Sequence, residues 1–241
     1  LRPNTRLIAI NFPNNPTGKV IAPEIFQALV QLATERDLYL LSDEVYRGLE
    51  RNPASTLPPA AMLYQRGLSL GVMSKSLGLP GLRIGWIASR DTDALSRMER
   101  VKHYLSIACP APSELLATVA LRASRRILER TRGITAQNLE LLAGFFDELP
   151  DLFQWYTPEG ACVAFPRYLG EDGVEEFCRS AVEEAGVILL PASLFQSRLL
   201  PVARDRFRIG FGRRDCAQAV EALREHLVRS GRAAGSPSGA G

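Results

Sequence analysis

Lysine stands at only three positions in this chain, Lys19, Lys75 and Lys102, and the rest of the permanent positive charge is carried by arginine. Lys75 lies in Ser74-Lys75-Ser76, between an apolar run and a stretch punctuated by Gly78, Pro80 and Gly81. A lysine amine condenses with an aldehyde, and loss of water or a nearby cation makes it nucleophilic. Asn15, Asp43 and Tyr46 also follow apolar runs, and Arg83 follows the lysine loop. Such strand ends are where open α/β sheets collect ligands. There a carboxylate can keep a pyridine nitrogen protonated, a phenol and an amide can hydrogen-bond a ring oxygen, and a guanidinium can clamp a phosphate. Each residue also has a plain structural reading: Lys75 as a solvated loop amine, Asp43 as a turn cap, Asn15 and Tyr46 as turn and packing residues. Lys19 and Lys102 are assigned to solvent.

These side chains need elements to hold them. Apolar runs at Arg6 to Phe12, Leu38 to Ser42, Leu68 to Met73 and Arg83 to Ser89 predict strands, the first ending in the turn-rich Pro13-Asn14-Asn15-Pro16-Thr17-Gly18. Pro23 to Arg36 reads as a helix opened by proline, with a stripe at Ile25, Phe26, Leu29, Val30 and Ala33. Continuous rather than alternating apolar strands predict a sheet covered on both faces. Helical patterns follow at Asp91 to Leu105, Pro112 to Ala123 and Arg125 to Leu149. Strands at Leu152 to Thr157, Cys162 to Pro166, Val187 to Pro191 and Phe207 to Phe211 then mix with helices at Val174 to Ala185 and Asp215 to Arg229, an α+β arrangement. The run from Ser230 to Gly241 is small and polar, with nothing to bury.

The composition narrows the function classes. With 241 residues, 46% hydrophobic and 23% charged, the chain can build a real core in one or two domains. A net charge of +3, with the positive residues scattered, offers no electrostatic footprint for nucleic acid or anionic lipid. No apolar run approaches the ~18 residues of a membrane span. Cysteines at 109, 162, 178 and 216 form no C-x-x-C pair and read as reduced thiols of a cytoplasmic protein. Only His103 and His226 are present, which argues against a histidine-rich metal centre.

Four segments then carry a resemblance: Asn11-Phe12-Pro13-Asn14-Asn15-Pro16-Thr17-Gly18; Ser42-Asp43-Glu44-Val45-Tyr46; Ser74-Lys75-Ser76-Leu77-Gly78-Leu79-Pro80-Gly81-Leu82-Arg83-Ile84-Gly85-Trp86; and Phe207-Arg208-Ile209-Gly210-Phe211. In this order they resemble the pyridoxal-phosphate (PLP) aminotransferases of class I/II, fold type I. The resemblance implies an α/β fold: part of the mainly parallel sheet of a large PLP-binding domain over 1–124, an interdomain helix and C-terminal α+β small domain over 125–229, and a flexible tail over 230–241. It implies that Lys75 holds PLP covalently and shuttles a proton, and that Asp43 pairs with the pyridinium nitrogen. Tyr46 and Asn15 would bind the ring oxygen, Arg83 and Ser74 the phosphate, and Arg208, with Asn15, the substrate carboxylate. It further implies transfer of an amino group between an amino acid and a 2-oxo acid in amino-acid biosynthesis, by a cytoplasmic homodimer with no metal, nucleic-acid or membrane partner. A PLP lyase or cyclase of this fold, or an aminotransferase-like effector domain of a transcription regulator, are the alternatives.

The chain departs from the family pattern in places. Val72 stands where relatives often carry a phosphate-binding hydroxyl, and Pro191-Ala192-Ser193-Leu194-Phe195-Gln196 replaces a frequent Pro-Gly-x-x-Phe-Gly. The family's N-terminal third, with its phosphate-binding glycine turn, has no counterpart, so both edges of the sheet are expected to lack partners. Separately, Gly67-Leu68-Ser69-Leu70-Gly71 fits the G-x-S-x-G nucleophile elbow of α/β-hydrolases. An elbow needs a sharp turn at the serine, whereas here the apolar run continues through Met73.

Overall fold

A computed structural model describes residues 1–201 and 203–233. It divides the chain into two compact units, Leu1–Arg132 with Glu159–Ala161, and Gly133–Pro158 with the chain from Cys162 onward. Of the expected tail, residues from 234 lie outside the described part.

In the first unit the order is β1 (Leu7–Asn11), α1 (Pro23–Glu35), β2 (Tyr39–Asp43), α2 (Ala60–Leu63), β3 (Gly67–Val72), β4 (Gly85–Ala88), α3 (Thr92–Ser106), α4 (Ala111–Arg122) and the start of α5 (Ser124–Asp147). The sheet runs β1-β2-β3-β4. β1, β2 and β3 are parallel, and β4 is antiparallel to β3. Proline opens α1 where its missing N–H costs nothing. Phe26 and Ala33 then face inward against Leu38 and Leu40, with Leu29 and Val30 beside them. The helix stops at Asp37, whose φ of 51° lies in the left-handed region that aspartate tolerates. Asp91 caps α3, accepting from Ala94 N–H at 2.8 Å, while its other oxygen accepts from the Tyr39 hydroxyl at 2.8 Å. The Ala94 N–H, followed by the Tyr39 hydroxyl, holds the Asp91 carboxyl below its ordinary range.

The expectation of a sheet covered on both faces needs correction. β2 and β3 are buried or half-buried throughout, but every residue of β4 is exposed. β1 and β4, the two ends of the sheet, each have a paired neighbour on one side only, and an edge strand without a partner leaves its residues open to water. The sequence reading also missed α2, which follows Pro58-Pro59 and is too short to show a helical period.

The second unit holds the rest of α5, β5 (Phe153–Gln154), β6 (Val163–Ala164), β7 (Arg167–Tyr168), α6 (Gly173–Ala185), β8 (Leu190–Pro191), β9 (Phe207–Gly210) and α7 (Cys216–Arg229). Its strands are shorter than their apolar runs predict, and β7 was not anticipated. Pro166 limits the β6 run, because proline cannot donate to a ladder. β6, β9 and β8 form an antiparallel sheet, and β5 pairs with β7. The core is aromatic: Phe145, Phe146, Phe153, Tyr168, Phe177 and Phe207 meet with Leu142, Leu223 and Leu227. Asn138 on α5 donates to the carbonyls of Phe211 and Arg213 at 2.9 and 2.6 Å, satisfying the loop that leaves β9.

Among the described residues no helix is long and apolar enough to cross a membrane, and no cluster of His, Cys, Asp and Glu could hold a metal ion. Cys109, Cys178 and Cys216 are free thiols.

Candidate active site

Parallel pairing brings the C-terminal ends of β1, β2 and β3 to one edge of the sheet. Asn11, the last residue of β1, is level with Asp43, the last of β2, and Asp43 is level with Leu70 near the end of β3. β4 begins at that edge, since Gly85 pairs with Val72. Six of the seven candidate residues therefore gather along one sheet edge: Asn15 after β1, Asp43 and Tyr46 at and after β2, Ser74 and Lys75 after β3, and Arg83 just before β4. Arg208 lies on β9, in the second unit.

The loop carrying Asn15 is held by its own side chains. Asn11 Oδ1 accepts from the Asn15 N–H at 2.8 Å, and Asn14 Oδ1 accepts from the Thr17 hydroxyl at 2.7 Å. The Gly18 N–H returns to the Asn14 carbonyl at 2.8 Å, with Gly18 at φ 68°. Glu159 and Gly160 donate their N–H groups to the Gly18 carbonyl at 2.9 Å, and the Glu159 side chain binds the Val20 N–H and Lys19. Chiefly through Lys19, the Glu159 carboxyl is held below its ordinary value.

The strand ends at Asp43 and Lys75 are joined directly. Asp43 Oδ1 accepts from the Val45 N–H at 3.2 Å, turning the chain toward Tyr46, which is 3% exposed. The Ser76 N–H donates to the Val45 carbonyl at 3.3 Å, and the Gly78 N–H closes back on the Lys75 carbonyl at 2.8 Å. On this short turn the solvent-exposed Lys75 amine reaches 5.9 Å from the centre of the Tyr46 ring. Arg83 is exposed, donates to the Pro80 carbonyl at 3.2 Å and sits at φ 55°. A non-glycine residue held there costs of order 1–3 kcal/mol, and such strain clusters at functional sites.

Glu44 is the residue that motif reading left without a task. Its Oε1 accepts from the Ser69 hydroxyl at 2.7 Å and from the Ala60 N–H at 3.0 Å, while Ser69 Oγ accepts from the Ala61 N–H at 3.1 Å. A carboxylate adjacent to Asp43 thus ties the end of β2 to β3 and α2. An acidic pair directly after a buried strand was the available signal.

The same contacts dispose of the hydrolase pattern. Ser69 is mid-strand, paired with Ser42 and Ala88, and 5% exposed. Both flanking glycines are required by packing. A Cβ at Gly67 would stand 2.2 Å from the Ala60 carbonyl oxygen, and one at Gly71 would stand 2.4 Å from the Trp86 ring. Ser69→Ala is expected to cost about 1–3 kcal/mol by leaving the Ala61 N–H and Glu44 short of a partner. Turnover per folded molecule should not change, as paired thermal melts and active-site-normalised rates would show; a nucleophilic serine would instead abolish turnover.

Comparison with known proteins agrees with this architecture. Residues 1–223 match the model of aminotransferase class I and II, and the chain belongs to that family. Capreomycidine synthase of Streptomyces vinaceus is 28% identical over 94% of this chain and 57% of its own length. A probable N-succinyldiaminopimelate aminotransferase of Mycobacterium tuberculosis is 31% identical over 80% of this chain and 49% of its own. The crystal structure of a PLP-dependent aminotransferase from Streptococcus suis superposes with a TM-score of 0.84 at 32% identity, over 95% of this chain and 59% of that one. The fold is that of the fold type I PLP enzymes. The chain spans about half the length of the relatives it matches in sequence.

Proposed function

We propose that this chain is the lysine-bearing part of a PLP-dependent aminotransferase that moves an amino group between an amino acid and a 2-oxo acid. The observation that carries the reading is the single sheet edge shared by Asn15, Asp43, Tyr46, Ser74, Lys75 and Arg83. This donor set fits the cofactor group by group: an exposed amine for an aldehyde, a carboxylate for a ring nitrogen, a phenol and an amide for a ring oxygen, and an exposed guanidinium with a serine for a phosphate. When bound, PLP supplies the electron sink for the pair released at the substrate Cα.

The protein's own groups do the remaining work. Asp43 keeps a proton on the ring nitrogen, and Tyr46 and Asn15 orient the ring through its oxygen. Arg83 and Ser74 hold the phosphate, and Lys75 takes and returns the proton at the substrate Cα. Arg208 binds the α-carboxylate, which leaves the Cα–H bond as the one to break and disfavours loss of CO₂. Incubation of the intact protein with amino acids and 2-oxo acids should yield new amino acid and new oxo acid in equal amounts. Release of CO₂ in their place would overturn the reading. A cyclase begins with the same proton removal, and one relative is a capreomycidine synthase; product analysis in the same assay separates the two.

Arg208→Lys should raise KM about 10- to 100-fold with a smaller change in kcat. An ammonium cannot reproduce the bidentate fork, and a charge-assisted hydrogen bond is worth about 1.5–3 kcal/mol. Steady-state kinetics decide this, and an unchanged KM would remove Arg208 from the substrate site. We further assign a homodimeric assembly and a cytoplasmic role in amino-acid biosynthesis. Support comes from the exposed apolar residues Val101, Tyr104 and Leu105 on α3 and Leu115, Leu116 and Val119 on α4, a face suited to a second copy, and from the unoxidised thiols of Cys109, Cys178 and Cys216.

A further inference from the structure

Phe195 is the aromatic residue of the divergent segment Pro191-Ala192-Ser193-Leu194-Phe195-Gln196. In the second unit, Leu190 pairs with Arg208 and Pro191 with Phe207 across β8 and β9. The Ala192 N–H donates to the Arg206 carbonyl at 2.8 Å, so the 3-10 turn Ala192–Phe195 starts pinned to β9. That turn brings Phe195 to the Arg208 side chain, with the guanidinium carbon 5.8 Å from the ring centre. Phe165 backs the same ring edge-on, the two centres 5.6 Å apart at 77°. The Phe165 carbonyl in turn accepts from Arg206 Nη1 at 3.3 Å. Phe207, between the two arginines, is wholly buried, so alternation along the strand directs Arg206 and Arg208 away from the core.

We infer that Phe195 is a positioning residue for Arg208, holding its guanidinium by the ring face. The inference rests on the reading of Arg208 as the carboxylate-binding residue. An arginine side chain loses much rotamer freedom when it orients on a ligand, and that loss weakens binding unless folding has already imposed it. A carboxylate partner would impose order by occupying the in-plane N–H donors, the same donors a substrate carboxylate uses. A ring attracts the guanidinium through its quadrupole and needs no N–H donor to do so. Phe165 behind it limits the ring's own motion.

The test compares Phe195→Leu, Phe195→Tyr and Arg208→Lys in the intact protein. Phe195→Leu keeps an apolar side chain and removes the ring. It should raise KM for the amino-acid substrate about fivefold, the loss of one such contact, with kcat within about twofold. Phe195→Tyr keeps the ring face and should retain the parent KM. In an Arg208→Lys background, Phe195→Leu should add less than about twofold, because the group it positions is gone. An unchanged KM in Phe195→Leu beside a raised KM in Arg208→Lys overturns the positioning role and leaves the carboxylate reading standing. An unchanged KM in Arg208→Lys overturns the carboxylate reading and this inference with it. A Phe195→Tyr variant as impaired as Phe195→Leu would assign the effect to packing volume and overturn the role of the ring face.

Discussion

In the intact protein, Lys75→Ala lowers kcat by about 10²- to 10⁴-fold, the range carried by a positioned proton-transfer group. Stability stays within about 0.5 kcal/mol, since Lys75 is exposed. Lys75→Arg does not restore the rate, because a guanidinium remains protonated and neither condenses with an aldehyde nor accepts a proton. Borohydride treatment in the presence of PLP should leave a pyridoxyl group on the Lys75 peptide. The alternatives are well defined. Lys19 is engaged by Glu159 on the Asn15 loop, and Lys102 lies on α3. A label on either of them, or none at all in protein competent to bind PLP, would sink the assignment of Lys75. A normal rate in Lys75→Ala would do the same without any labelling.

Phe177→Ala should cost about 3–5 kcal/mol of unfolding free energy, the usual range for removing a buried aromatic ring. The Phe177 ring is fully buried, stacks on Tyr168 with centres 4.3 Å apart and 10° between planes, and meets Phe207 at 5.2 Å and Phe153 at 5.7 Å. The site has little room to relax, because every neighbour is itself held by another ring. Phe177→Leu should lose less, since part of the volume is kept. Urea unfolding followed by tryptophan fluorescence measures both variants, and a loss below about 1 kcal/mol in Phe177→Ala would show that the ring cluster repacks, against the rigidity of close-packed interiors.

The residues of the candidate site were legible because their neighbours are local. Lys75 stands out by its Ser-Lys-Ser setting and the glycines and proline after it, and Asp43 by following an apolar run. Their convergence was not legible in the same way. Asn11 and Asp43 stand level only because β1 and β2 pair parallel and in that register, and a shift of one residue would send every side chain to the other face. Glu44 shows the difference most plainly. It reads as the second acid of a pair, and its actual partners, Ser69 and Ala60, are supplied by other elements.

By itself the sequence determined the longer helices and the four strands of the first unit, the apolar stripe of α1, the turn after β1 and the chemical inventory at the strand ends. These follow from side-chain periodicity and turn preferences that act over a few residues. Tertiary structure alone decided that Gly71 carries the Trp86 ring, that Glu159–Ala161 pack with the first unit, and that Phe195 comes to rest at Arg208. Each of these joins residues distant along the chain. Such contacts depend on how whole elements pair and pack, which no local pattern encodes.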